Sequence, residues 1–432
     1  MNKTVNPLSL KKNFSWTLLG NVVYNFCQWG ILCCLNKLGN TTLSGEFIWG
    51  LAIATPTFSL LNFGLRQILA TDVESKYPFE CYFGLRIICL SIGILVVSLL
   101  GGLCSDNFRF TLIIIISGTA YAMQSLGEVF YGLFQKYERL DIVSHSLIMK
   151  GLLNFFLVLL FFGLTKSVLI VVIILTVSRF CIWLFYDYPQ AVRLLNFARG
   201  ESSHADQKTR YSITPSYKRQ MILPLTAMGL SLGITTFFVS MNTNIPRYFL
   251  NSQELGIYGS MAYITVAGWM IVQALAQSAS ARIAKTYRSG NVYKYLILQT
   301  KLFLFGLSLG MTFLLLVYFM GPTMLTLLYN EEFAAYNNLF IVIILSAMLS
   351  YISIFLWQGI TAARIIFIQP FIYFFIALSV LITSYLLIPK YNFYGAAYSM
   401  IVASTINFVA AILLTFAVVC KMKRGTVTNP AL

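Results

Sequence analysis

The chain has 432 residues, 58% of them apolar and 10% charged, with a mean hydropathy of +0.77. A soluble globular protein carries about 25% charged and about 45–50% apolar residues, so that class is excluded. A formal net charge of +16 points to nucleic acid or anionic lipid only if topology does not already account for it.

Lys3, Lys11 and Lys12 precede an apolar run over 14–35. At about 22 residues, without an A-x-A cleavage pattern and with another apolar run close behind, the run reads as a first membrane helix and not as a signal peptide. Further spans are predicted at 44–66, 82–103, 110–134, 143–163, 167–187, 220–242, 255–279, 295–320, 334–358, 367–388 and 393–418. Each is long enough to cross a hydrocarbon core about 30 Å thick.

Cytoplasmic connections hold the lysines and arginines. Apart from Lys37, Arg109, Lys166, Arg247 and Lys390, the loop cations fall on one alternate set of connections. Both termini are therefore expected in the cytoplasm, and the basic charge needs no nucleic acid. Reporter fusions within 188–219 should accordingly read as cytoplasmic, and a periplasmic readout would overturn the charge count.

That longest loop divides the chain into a six-helix bundle over 1–187, a cytoplasmic linker over 188–219, a second six-helix bundle over 220–420 and a tail over 421–432. Its stretch RGESSHADQKTR has the polar composition of a flexible linker. Transporters are commonly built from two such halves with the substrate site between them. Sliding the chain by 211 residues sets Gln273 and Gln277 on Asn62 and Arg66, a weak echo of an internal repeat. The expected fold is an all-α integral membrane protein, with about twelve transmembrane helices in two six-helix bundles around a central cavity.

Several chemistries are absent from the sequence. No G-x-x-x-x-G-K-[ST] loop occurs, so nucleotide-driven pumping within this chain is excluded. The two histidines, His145 and His204, lack the spaced partners of a metal or nucleophile site. The eight cysteines form no C-x-x-C pair and read as small buried hydrophobes. No metal or cofactor is expected. The short loops on the opposite side disfavour a membrane enzyme with a large outer catalytic domain.

Ionisable side chains inside spans are costly and mark a pathway or an internal pair. They are Glu128, Lys150, Arg179 and Lys301, all set about 9–12 Å inside the predicted cytoplasmic ends at 1.5 Å per residue. With Arg66, Arg86, Arg282 and Arg364 near the same side they would form a cationic vestibule. For Lys150 and Lys301 the competing reading is snorkelling of the ammonium to the headgroups. Glu128 either neutralises one of the cations or couples transport to H+ or Na+. Asn21, Asn25 and Gln28 share one face of span one at i, i+4 and i+7, as interhelical contacts or as cavity lining. Ser59, Asn62 and Arg66 are predicted on one face of span two, where Pro56 should kink the helix. The two GLSLG motifs, Gly229/Gly233 and Gly306/Gly310, are read as close-packing surfaces.

The opening segment, SLKKNFSWTLLGNVVYNFCQWGILCCLNKLGN followed by SGEFIWGLAIATPTFSLLNFGLRQ, resembles bacterial polysaccharide transporters of the O-antigen flippase type. These belong to the multidrug/oligosaccharidyl-lipid/polysaccharide exporter (MOP) superfamily. The resemblance implies a V-shaped pair of bundles in the bacterial inner membrane. It also implies movement of undecaprenyl-pyrophosphate-linked oligosaccharide from the cytoplasmic to the periplasmic leaflet by alternating access. A polysaccharide polymerase and chain-length machinery would be its partners, beside membrane lipid. No short motif defines the family, so site residues rest on physical grounds.

A pyrophosphate needs compensating charge to cross hydrocarbon, and arginine supplies bidentate phosphate contacts. Arg66, Arg179, Arg282 and Arg364, then Lys150 and Lys301, are the candidates for the pyrophosphate. Asn21, Asn25, Gln28, Asn62, Gln273 and Gln277 are the candidates for glycan hydroxyls. The alternatives are a cation-coupled multidrug antiporter of the same superfamily, a membrane polysaccharide polymerase and a scaffolding protein.

Overall fold

A computed structural model describes residues 8, 10–72, 77–105, 107–198, 213–363 and 368–423. Backbone groups in hydrocarbon must be satisfied within their own segment, which leaves helices and closed barrels as spanning structures. The described residues are almost wholly helical. Among the described residues, eleven helices are long and apolar enough to cross a membrane. They carry large exposed apolar side chains along their lengths, such as Leu103, Leu164, Phe319 and Phe416. Such a surface is stable only against lipid. The chain is a multi-pass, all-α membrane protein.

Two compact units divide the chain, Met1–Ser240 and Met241–Leu432. In the first, the helices are α1 (Leu10–Leu38), α2 (Thr41–Leu61), the short α3 (Leu65–Thr71), α4 (Phe79–Cys104), α5 (Phe108–Lys136), α6 (Leu140–Thr165), α7 (Val168–Ile182), α8 (Tyr188–Ala198) and most of α9 (Arg219–Asn244). Helix α5 is the hub, packed against α2, α3, α4 and α7, while α1 lies along α6. Asn13 pins the start of α1 to the α5–α6 connection. Its amide nitrogen donates to the Glu138 carbonyl at 3.0 Å, and its oxygen accepts from Leu140 N at 3.2 Å.

The second unit holds α10 (Ser252–Arg288), α11 (Val292–Leu328), α12 (Asn337–Ala362), α13 (Gln369–Tyr391) and α14 (Phe393–Lys423). Helix α12 is its centre, against α10, α11 and α14. Tyr351 and Phe355 on α12 pack with Val272, Ile283, Leu302 and Val418. The Tyr351 hydroxyl donates to the Thr265 carbonyl at 2.5 Å.

Side-chain caps set several helix starts. Asn40, Asn107 and Asn291 each accept from a main-chain N–H of the first turn of α2, α5 and α11, as asparagine does at an N-cap. The GLSLG glycines serve close packing. A Cβ at Gly233 would stand 2.4 Å from the Leu60 carbonyl oxygen, and one at Gly310 would stand 2.3 Å from Met348 Cγ.

Three departures from the hydropathy reading have physical causes. Helices α10 and α11 each run 37 residues, well past the predicted spans, because a hydrogen-bond ladder does not stop where the apolar run does. Tyr188–Ala198, read as the start of the linker, is helical as α8; residues 199–212 and His204 lie outside the described residues. Span two ends at Leu61. Asn62 is its C-cap, and Phe63 and Gly64 follow with φ of 47° and 55°, a left-handed step that no helix continues through. Arg66 therefore belongs to α3, not to one face with Ser59 and Asn62. Pro56 is buried inside α2, and the helix carries on across it.

Candidate functional site

Several charged side chains of the first unit lie along the stretch of α5 from Ala120 to Gln135. Glu128 and Tyr131 are one turn apart on α5 and face different partners. Arg66 on α3 reaches Glu128, with Nη1 2.8 Å from Oε2, and this pair is half-buried, at 33% and 27% side-chain exposure. Its guanidinium also lies 5.5 Å from the centre of the Tyr131 ring, a cation–π distance.

Lys150 on α6 enters from the other side. Its ammonium donates to Asp187 Oδ2 at 2.8 Å and to the Tyr131 hydroxyl at 2.7 Å. Both members of this ion pair have 0% side-chain exposure. The Tyr131 hydroxyl in turn shares a hydrogen bond of 2.9 Å with Ser146. Gly127 makes room for the pair, since a Cβ there would lie 3.1 Å from Lys150 Nζ. Asp187 closes a π-helical turn, Trp183–Asp187, between α7 and α8.

Two more arginines are buried without a carboxylate. Arg86 on α4, 1% exposed, donates from Nη1 to Asn62 Oδ1 at 2.6 Å and from Nη2 to the Asn62 carbonyl at 3.3 Å. Arg179 on α7, 5% exposed, donates from Nη1 to the Ala120 carbonyl at 2.9 Å and from Nη2 to the Tyr24 hydroxyl at 3.4 Å. The Tyr24 hydroxyl in turn donates a hydrogen bond to Gln124 Oε1 at 3.3 Å. In both arginines the buried Nε has no partner. A guanidinium out of water is expensive unless an anion compensates it. Neither stands within ion-pair distance of an acid among the described residues.

The sequence-predicted residues are thus only partly assembled. Arg66, Glu128, Lys150 and Arg179 lie in one unit, joined through α5 and its neighbours. Lys150 does not snorkel: it is fully buried and neutralised by Asp187. Asn62 accepts from Arg86 through both its side-chain and main-chain oxygens. Asn21 and Asn25 do not reach another helix with their donors, which bond back to the Thr17 and Asn21 carbonyls, each at 2.8 Å. Gln28 keeps a buried, unpartnered Nε2. In the second unit Gln273 is half-buried on α10 and Lys301 is exposed on α11. Arg364 lies outside the described residues, and Arg282 and Gln277 are placed on α10 by their backbone alone.

Asp187, Tyr131, Arg86 and Tyr24 are the members of this candidate cluster that sequence reading missed or left as companions. Asp187 carried a signal, a carboxylate closing the apolar run VLIVVIILTVSRFCIWLFY.

Gly132 positions Arg66. A Cβ at Gly132 would lie 2.9 Å from the Arg66 carbonyl oxygen and 3.1 Å from its Cα, so only glycine lets α3 sit this close to α5. Gly132→Ala must push the α3 backbone away, at about 1–3 kcal/mol of overpacking. The expected result is a folded protein that melts below wild type, checked by thermal unfolding in detergent.

No protein-family profile matches the chain. Among curated proteins, it is 26% identical over 410 residues to the Staphylococcus aureus capsular polysaccharide biosynthesis protein CapF, covering 93% of this chain and 97% of that one. Among solved structures it resembles the inward-facing conformation of a multidrug resistance MATE family transporter of the MOP superfamily. The TM-score is 0.67 at 11% identity, over 94% of this chain and 99% of the other. The chain has the fold of the MOP-superfamily transporters. A Vibrio cholerae MATE transporter, VcmN, aligns with a TM-score of 0.64 at 14% identity, over 97% and 98% of the two chains. A Pyrococcus furiosus MOP transporter, described as having a binding pocket of reverse polarity that suggests a different function, aligns at 0.58 and 12% identity, over 95% of each chain. The MOP fold and the capsular relative together support the resemblance carried by the opening segment.

Proposed function

We propose that this protein moves a lipid-linked oligosaccharide, carried on a polyprenyl pyrophosphate, across the bacterial inner membrane by alternating access, from the cytoplasmic to the periplasmic leaflet. One observation carries the reading. Arg86 and Arg179 are buried guanidiniums with neutral partners only, each with an orphaned Nε. Arg66 stands in the same unit on a half-exposed ion pair. Such groups suit a doubly charged pyrophosphate, which planar guanidinium forks bind through paired hydrogen bonds.

Similarity to a capsular polysaccharide biosynthesis protein supports a glycan as cargo, and the transporter fold supports translocation over covalent chemistry. Both termini and the 188–219 linker are cytoplasmic in this reading. The two helical halves, 1–187 and 220–420, alternate in exposing the site, Glu128 couples the cycle to an ion, and the polymerase and chain-length machinery act on the product. Of the remaining candidates, Arg282, Arg364 and Lys301 would add cationic contacts. Asn21, Asn25, Gln28, Gln273 and Gln277 would meet glycan hydroxyls, the first two through their amide oxygens.

A carrier of organic cations would need a carboxylate without a cation, and both acids of this cluster, Glu128 and Asp187, are already paired. The test is complementation of a strain lacking its glycan flippase, with lipid-linked glycan followed leaflet by leaflet. Restored glycan display is expected. Export of cationic dyes without glycan rescue would favour the multidrug reading instead.

A further inference from the structure

Two ion pairs of the same chemistry flank Tyr131, and they differ in one respect. Lys150–Asp187 has no exposure, and its ammonium is tied to the Tyr131 hydroxyl as well as to the acid. Arg66–Glu128 is open to about a third, and rests on a single hydrogen bond from Nη1 to Oε2. The other contact of Arg66, from Nε to Gln135 Oε1, is long at 3.4 Å. A sealed pair cannot exchange partners without stranding a buried charge, whereas a half-exposed one opens cheaply because solvent screens it. Only the second can be a site of exchange.

Its surroundings set what can enter. Glu128 faces Arg66 from α3 and Arg86 from α4. Asp187 faces it from the π turn, and Tyr121 and Tyr131 from its own helix. Helix α2 presents the neutral amide of Asn62, and Arg193 on α8 is exposed. Around Glu128 cations outnumber acids, and the Arg66 fork is occupied by a carboxylate, the protein's own analogue of a phosphate oxygen.

We propose that Glu128 is a placeholder anion that an entering pyrophosphate headgroup displaces from Arg66. This rests on the flippase reading and adds to it the order of events at one residue. The empty site is kept from capturing small anions, because each must first break an existing pair.

The experiment uses the full-length protein in detergent and farnesyl pyrophosphate as probe, with inorganic pyrophosphate as a second arm to separate a lipid-borne headgroup from a free one. Glu128→Gln is expected to bind the probe about 3- to 10-fold tighter than wild type at pH 7.5, the scale of removing a partly exposed ion pair. Glu128→Asp keeps the charge but shortens the reach, and should also bind tighter if contact with Arg66 is what competes. In an Arg66→Gln background the gain should vanish.

Binding that is equal in wild type and both Glu128 variants overturns the placeholder and leaves the flippase reading standing. Tighter binding in Glu128→Gln but not in Glu128→Asp also overturns it, since that is the signature of a field without contact. No binding of farnesyl pyrophosphate to any variant overturns the reading and the placeholder together.

Discussion

Arg179→Ala is expected to stop glycan export while the protein still inserts and accumulates. The guanidinium is 5% exposed and holds two neutral oxygens, the Ala120 carbonyl and the Tyr24 hydroxyl. Truncation leaves no acid unpaired, because the side chain has no carboxylate partner among the described residues. The structural cost is confined to lost hydrogen bonds and a cavity. On the proposed flippase reading, the functional cost is the loss of a charge-assisted contact to phosphate, about 1.5–3 kcal/mol, or about 10- to 100-fold in affinity for the headgroup.

Arg179→Lys keeps the charge without the planar fork and should recover export in part. The measurement is surface glycan together with lipid-linked glycan retained on the cytoplasmic leaflet, at matched membrane levels of protein. Normal glycan display from a stably inserted Arg179→Ala protein would remove this residue from the site.

Arg179 was legible in the sequence because a guanidinium inside LTVSRFCIW stands out against hydrocarbon. The spans were legible for the same reason, as hydropathy reports where the chain meets lipid. What the sequence hides is pairing across helices. Lys150 and Asp187 are 37 residues apart, on elements whose rotation about their axes no periodicity fixes, so the lysine read equally well as a snorkelling side chain.

The α2–α3 step was hidden differently. The left-handed φ of Phe63 and Gly64 falls inside an apolar run, and an apolar run looks alike whether helical or turned. That step takes Arg66 off the face of span two and sets it over Tyr131, and it leaves Asn62 at the helix end where both its oxygens face Arg86. The amides of α1 show a third limit. A stripe at i, i+4 and i+7 states that the groups share a face, but not that Asn21 and Asn25 spend their donors on their own helix.

Breaking the Lys150–Asp187 pair should have the largest effect on stability. With both side chains at 0% exposure, Asp187→Asn leaves an ammonium in a dry interior with only the Tyr131 hydroxyl and an amide as partners. Loss of one member of a buried pair costs about 3–5 kcal/mol. Lys150→Met should cost a similar amount, because it strands the carboxylate. The double variant Lys150→Met/Asp187→Leu removes both charges and fills the space with apolar atoms, which is often neutral for a buried pair. Each single variant should therefore melt well below wild type in detergent, and the double variant should return close to it. Single variants as stable as wild type would show that water reaches the pair. If the double variant is stable but fails to export glycan, the pair does more than fill the core. It holds Tyr131 through the 2.7 Å bond from Lys150, and Tyr131 is the ring against which Arg66 meets its anion.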